Sequence, residues 1–130
     1  MNKRTHIRNE QGQAMAEFAI VLPVLCLVLL AIFQFGVLFN NYVTLTDAVR
    51  AGARTAAVSR NDADPTGATT TAVRNSGADL NQSSLNVTVS SSWVAGSDVT
   101  VTATYPYSIS LLGLVVTSGN LISKTTERVE

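Results

Sequence analysis

The chain has 130 residues, a length that supports one small domain and not two. Nine Lys or Arg balance nine Asp or Glu, so the formal net charge is zero, and no basic stripe points to a nucleic-acid partner. The single cysteine, Cys26, excludes an intramolecular disulfide. Any soluble part of the chain must therefore be held together by packing alone.

The first predicted element is a long apolar helix. No residue between Phe18 and Phe39 is charged, a run of about 33 Å at roughly 1.5 Å per residue, long enough to cross a hydrocarbon core of about 30 Å. We therefore predict a leader over residues 1–12, a transmembrane helix over residues 13–40 and an exported head over residues 41–130.

The leader is basic. Lys3, Arg4 and Arg8 precede the span, and only Glu10 and Glu17 stand against them. Under the positive-inside rule this end stays in the cytoplasm and the head faces outward. The sequence thus predicts a single-pass protein of the inner (cytoplasmic) membrane, with the lipid bilayer as its first partner.

The segment around Gly12 carries a specific resemblance. Gly12 is followed by Gln13-Ala14-Met15-Ala16-Glu17-Phe18, which resembles the processing site of prepilin-like proteins of the Tad (tight adherence) pilus. The apolar continuation, the stretch Asn41–Arg54 and the TYPYS segment Thr104–Ser108 are similar to the TadE-like family. The resemblance covers nearly the whole chain and is more specific in its N-terminal half.

This resemblance implies a function and a set of partners. A membrane aspartyl prepilin peptidase is expected to cut after Gly12, so that Gln13 becomes the first residue, Glu17 the fifth and Phe18 the sixth. The product is expected to be a minor pilin or pseudopilin of a Tad/Flp-type pilus, which serves adhesion and surface attachment. Its expected partners are other pilins or pseudopilins and the inner-membrane assembly platform, and its final location is the inner membrane or the extracellular pilus.

Glu17 also has a physical rationale. A carboxylate within a span costs roughly 2.5–3.5 kcal/mol at the membrane centre, so one retained at the edge usually has a partner. Cutting after Gly12 creates an amine on Gln13 one helical turn before Glu17, and the amine of an adjacent subunit is an equivalent partner. The alternative is that Glu17 marks the boundary of an uncut signal anchor and snorkels to water.

Two residues within the apolar helix invite interpretation as subunit-packing positions. Pro23 removes one backbone hydrogen bond and predicts a kink or local loosening over Ala19–Pro23. Gln34 is the one strongly polar residue late in the run, and we expect it to hydrogen-bond to a neighbouring helix.

The helical pattern continues beyond the span without a breaker. Ala48, Gly52 and Ala56 form a row of small residues spaced by four, and such a row lets another backbone approach closely. These three residues are also predicted subunit-packing positions. One helix of about 70 Å is predicted from Gln13 to Ser59, with its membrane half followed by the spine of the head over residues 41–59.

The last part of the chain predicts a short helix and a β-meander over residues 84–130. Asp64 or Thr66 can cap a helix around residues 68–75. Alternating patterns predict strands over residues 84–91, 98–105 and 121–129. Pro106 is expected to end the second strand, and the apolar segment Ser108–Val116 is expected to be a loop or short helix on the sheet, or a surface patch that meets another subunit or the bilayer.

The predicted fold class is therefore α+β and pilin-like. A long N-terminal helix, transmembrane in its first half, carries a small head of one short helix and a three-stranded antiparallel sheet. No combination of residues points to catalysis, so we expect no enzyme, no cofactor, no metal site and no nucleic-acid partner.

Two alternatives to a processed pilin remain. The first is an uncut, membrane-tethered binding module of the cell envelope, which would use its head to hold a ligand. The second is an accessory subunit that is processed in the same way but stays with the assembly machine and does not enter a filament.

Overall fold

The computed structural model describes the main chain of residues 4–130 and the side chains of residues 10–130. In chain order the elements are helix α1, a short 3₁₀ turn, helix α2 and strands β1, β2 and β3, with bounds Arg4–Val58, Ser59–Asn61, Pro65–Ser76, Asn86–Ser91, Asp98–Leu111 and Leu114–Arg128. The strands form one antiparallel sheet in the order β1-β2-β3. The predicted α+β, pilin-like layout is confirmed.

Helix α1 is longer than predicted. It begins at Arg4, upstream of the predicted start at Gln13; the intervening segment includes Arg, Glu and Gln, which favour helix, and it has no proline to interrupt the helix. It also continues through Pro23. The boundaries proposed at residues 12/13 and 40/41 fall within this continuous helix and stay predictions, as does the kink at Pro23; residues 1–3 of the leader lie outside the described residues.

Helix α2 owes its start to a capping residue. The Asp64 carboxylate accepts a hydrogen bond of 2.9 Å from the backbone N–H of Gly67, and Pro65 occupies the first helical turn, where its missing N–H costs nothing. At the other end the N–H of Gly77 donates to the carbonyl of Val73. Of the two predicted capping residues, Asp64 is the one used.

Strands β1 and β2 pair as predicted. Asn86 lies opposite Thr104 and Ser91 opposite Val99, and the connection between them includes Gly96 in the left-handed region at φ 81°. Glycine is favoured there because it has no Cβ to clash with the following carbonyl.

The predicted loop at Ser108–Val116 was wrong. Strand β2 continues through Pro106 to Leu111, and β3 begins at Leu114, so the apolar segment forms the turn end of a long β2–β3 hairpin. Proline was expected to end the strand because it cannot donate to the sheet. Here β1 pairs no further than Thr104, so beyond that residue β2 has an open edge, where proline is tolerated.

The core of the head lies between the sheet and the second half of α1. Leu45 and Val49 on α1, together with Val99 and Val101 on β2, are completely buried. The other buried apolar residues of this core are Ala48, Ala53, Ala56, Val73, Leu80, Leu85, Ala103 and Val129. Small residues on α1 thus let α2 and the sheet approach the helix closely.

We predict that Gly52→Ala destabilises the head by about 1–3 kcal/mol, since an added methyl group in a filled core forces neighbours apart. A Cβ on Gly52 would overlap with Cγ2 of Val73 and stand 3.4 Å from the carbonyl oxygen of Thr69. The measurement is thermal unfolding of the full chain in detergent micelles, followed by Trp93 fluorescence. The matched control is Gly36→Ala in the same helix, where a Cβ meets nothing within 4 Å; equal stability of the two variants would contradict the close approach of α2.

Candidate functional site

The predicted processing segment lies exposed on α1. Gly12 is open on all sides, since a Cβ built there meets nothing within 4 Å. The side-chain amide of Gln13 donates a hydrogen bond of 3.1 Å to the carboxylate of Glu17, one turn later. Phe18 follows with 62% of its surface exposed. The structure thus brings Gln13 and Glu17 together and leaves Gly12 accessible.

The apolar half of α1 has no cover from the rest of the chain. Every residue from Glu10 to Leu30 is exposed, including long runs of Leu, Val, Ile and Phe. The helix is long and apolar enough to cross a membrane. Exposed apolar surface on this scale requires an apolar partner, which a bilayer or a bundle of similar helices provides.

The comparison with protein families decides what this segment is. Residues 12–54 match the family model described as TadE-like protein, and the match begins at Gly12 and includes Glu17 and Phe18. Over these residues the chain is similar to the TadE-like family. The resemblance noted in the sequence is thereby confirmed over these residues. A search of curated proteins and a search of solved structures found no match.

The TadE-like match has consequences for location and partners. The family matched over residues 12–54 implies association with a Tad pilus and suggests interaction with other components of that pilus. Together with the one candidate spanning helix among the described residues, it indicates a single-pass membrane protein.

The row of small residues within the TadE-like segment packs inside its own chain. Ala48, Gly52 and Ala56 are buried by α2 and the sheet. Gly52 faces Val73 of α2, and the Cβ of Ala48 lies 3.3 Å from where a Cβ on Gly77 would stand. The close backbone approach that the row predicts is therefore made by the head of the same subunit, and these side chains are not available to a second one.

Gln34 has a partner that the sequence did not reveal. Its side-chain amide donates a hydrogen bond of 3.1 Å to the carbonyl oxygen of Ser110 near the end of β2. The expected hydrogen bond to a neighbouring helix is thus replaced, for this donor, by one within the chain. Because the interpretation of Ser108–Val116 as a loop stopped β2 at Pro106, nothing in the sequence placed Ser110 beside the helix.

Partial burial continues this contact along α1. Ala31, Gln34, Leu38 and Asn41 are all half-buried, at spacings of three or four residues, and so form one stripe on the helix. Tyr105 and the residues after it on β2 line a groove together with the last three of these. The hairpin therefore reaches from the head into the apolar half of α1.

A second groove lies at the opposite end of the head. Its volume is 470 Å³, and its charged lining residues are Arg54, Glu127, Arg128 and Glu130. Two cations and two anions give it no strong charge of either sign. The charges of its lining residues therefore indicate no particular class of ligand.

We predict that Gln34→Leu loosens the end of the hairpin. Loss of one hydrogen bond of about 1 kcal/mol should raise the hydrogen-exchange rate of the amides at residues 108–116 by about fivefold. The measurement is hydrogen exchange by mass spectrometry on the full chain in micelles. Asn40→Leu, a change on the exposed side of the same helix, is the control, and equal exchange in both variants would show that the bond to Ser110 contributes nothing.

Proposed function

We propose that this chain is a minor pilin or pseudopilin that a prepilin peptidase cuts after Gly12 and that then takes part in assembling a Tad/Flp-type pilus. Its role in this proposal is structural and not catalytic. The observation that carries the proposal is the family match that begins at Gly12, on a helix whose apolar half is uncovered.

Accessibility of the Gly12–Gln13 peptide bond supports cleavage. The bond lies in an exposed part of α1, with no other element of the described chain against it. A peptidase must unwind the helix locally to reach the bond. Glycine is about 1 kcal/mol less favourable in a helix than alanine, so Gly12 lowers the cost of that unwinding.

The hydrogen bond between Gln13 and Glu17 supports a role for the carboxylate after cleavage. It brings the Glu17 carboxylate back toward the turn that holds Gln13. Cleavage would place a new amine on Gln13, one turn from Glu17 in the same chain and free to approach Glu17 of a neighbour. Pairing of the two charges would offset the cost of holding a carboxylate beside lipid or within a packed bundle.

The exposed face of α1 supports assembly with other subunits. In the membrane, the side chains from Phe18 to Leu30 would contact lipid, and in a filament the same surface would contact the helices of neighbouring pilins. The buried small-residue row plays no part in this exchange, because the head covers it in both settings. Insertion is proposed with the leader in the cytoplasm and the head outside.

We predict that Gly12→Ala abolishes processing. The added methyl group changes the residue on the acyl side of the bond and stabilises the helix that must unwind. The measurement is intact mass after expression with and without an active Tad-type prepilin peptidase. Loss of the first twelve residues is expected only for the unsubstituted chain and only with the active peptidase.

Gly36→Ala is the matched control for processing, because it makes the same change in the same helix at another open position. It should be cut normally. A full-length mass for the unsubstituted chain in the presence of active peptidase would overturn the pilin assignment and favour the uncut, tethered module.

We predict that Glu17→Gln leaves processing intact and lowers incorporation into pili about tenfold, the equivalent of about 1.4 kcal/mol for a lost charge pair. The measurement is the ratio of processed protein in sheared pili to that in the cell membrane. Glu10→Gln is the control, because Glu10 lies in the segment that cleavage removes. Normal incorporation of Glu17→Gln would exclude the charge pair, and absence of the unsubstituted chain from pili would favour an accessory subunit.

A further inference from the structure

The β2–β3 hairpin is fastened to α1 at both ends. At one end the N–H of Glu130 donates to the carbonyl of Ala57, at 2.8 Å. At the other end Gln34 donates to the carbonyl of Ser110, at 3.1 Å. The hairpin thus lies along the helix, and its turn points toward the N-terminal, apolar half of α1.

The level of that turn can be read from the helix. Gln34 lies five residues before Phe39, the last residue of the apolar run, a distance of about 8 Å along the axis. Leu112 lies two residues beyond Ser110. The turn is therefore about 7 Å further than Ser110 toward the N-terminal end of α1. With α1 across a bilayer, the turn would lie about 15 Å below the outer end of the apolar run, at the inner limit of the outer leaflet of a hydrocarbon core of about 30 Å.

The turn end of the hairpin is apolar and uncovered. Leu112 and Leu114 are 78% and 76% exposed, and Val115 and Val116 are 64% and 63% exposed. No Asp, Glu, Lys or Arg lies between Asp98 and Lys124. Exposed strand edges in water are usually protected by charged side chains, and this hairpin has none along that length.

The turn contains a leucine at a position where the backbone conformation disfavours bulky apolar residues. Leu112 and Gly113 both have positive φ, at 52° and 82°, as a two-residue type I′ turn requires. Asn or Asp is the usual residue before Gly in such a turn, and a bulky apolar residue is disfavoured there. A leucine at this position is explained if its side chain gains an apolar environment.

We propose that the hairpin turn, residues 111–116, inserts into the outer leaflet of the bilayer beside α1 and acts as a second membrane anchor. Lipid is the fitting partner because the exposed side chains of α1 at the same level face lipid already. Tyr42 on α1 and Tyr105 and Tyr107 on β2 lie near Asn41, just beyond the end of the apolar run, where aromatic residues mark membrane interfaces.

The backbone of the hairpin restricts how much of it can insert. Strands β2 and β3 pair with each other up to Leu111 and Leu114, so the backbone groups between the two strands have partners. The groups on the outer edges of both strands do not, and their cost in lipid limits the inserted part to the turn. Gln34, the polar residue of α1 beside the hairpin, donates to the carbonyl of Ser110. The proposal depends on α1 crossing the bilayer and not on cleavage or filament entry, so its test uses the uncut chain.

The test places a single tryptophan at the turn. The full chain with Trp93→Phe is reconstituted at one copy per phosphatidylcholine nanodisc, and Leu112→Trp or Val115→Trp adds the probe. Ile122→Trp, on an exposed position of β3 far from the turn, is the matched control. Emission is compared in discs whose lipids are brominated in the inner half of the acyl chains, and in discs of unbrominated lipid with iodide in the surrounding water as quencher. Hydrogen exchange of β1 checks that each head is folded.

Insertion predicts that both turn probes lose emission with brominated lipid and resist iodide, whereas the Ile122 probe behaves in the opposite way. Two turn positions are used because tryptophan at the positive-φ site can distort the turn. Iodide quenching of the turn probes equal to that of the control would overturn the proposal. A second result would also overturn it. If brominated lipid does not quench the turn probes, and if they resist iodide only in discs that hold several copies, the surface binds a second copy of the chain.

Discussion

The two halves of α1 need different partners for their apolar side chains: the first half needs lipid or other helices, and the second half packs against the head of the same chain. In its first half the side chains are large and face outward in all directions, which suits lipid or a bundle of similar helices. In its second half the buried face is made of Ala48, Gly52, Ala53 and Ala56, with only Leu45 and Val49 as larger members. Small side chains there bring α2 and the sheet close to the helix axis. The change from large to small side chains along α1 thus determines which part of the helix the core of the head can pack against.

The β2–β3 hairpin crosses the boundary between these two halves. The part of the hairpin far from its turn contributes Val99, Val101 and Ala103 to the core. The part near the turn, bound through Gln34, lies beside the apolar run of α1. The head is therefore anchored to α1 along a length greater than that of its own core. Such an attachment resists rotation of the head about the helix, because two hydrogen bonds at opposite ends of the hairpin would both have to break.

Much of this fold could be predicted from the sequence, because hydrophobic periodicity and helix capping depend on residues close together in the chain. The uncharged run predicts α1, a capping residue at Asp64 or Thr66 predicts α2, and period-two alternation predicts β1 and the first half of β2. The hairpin turn was missed because the effect of Pro106 depends on whether β1 still pairs at that point, which is a tertiary fact. Gln34 was likewise identified as a hydrogen-bonding residue, but its partner 76 positions away has no local signal. The segment at Gly12 was recognised by resemblance, since its exposed geometry alone distinguishes it little from the rest of the helix.

The core of the head also joins residues that are far apart in the chain, and this has a consequence for folding order. Leu45 and Val49 pack in the same cluster as Val99, Val101 and Val129, so the core cannot close until almost the whole chain is present. Contacts of such long sequence separation form slowly, because the intervening chain must first lose its freedom. During synthesis the apolar half of α1 is complete long before that point. With the proposed orientation, the remainder would therefore cross the membrane as an unfolded chain and fold only on the far side.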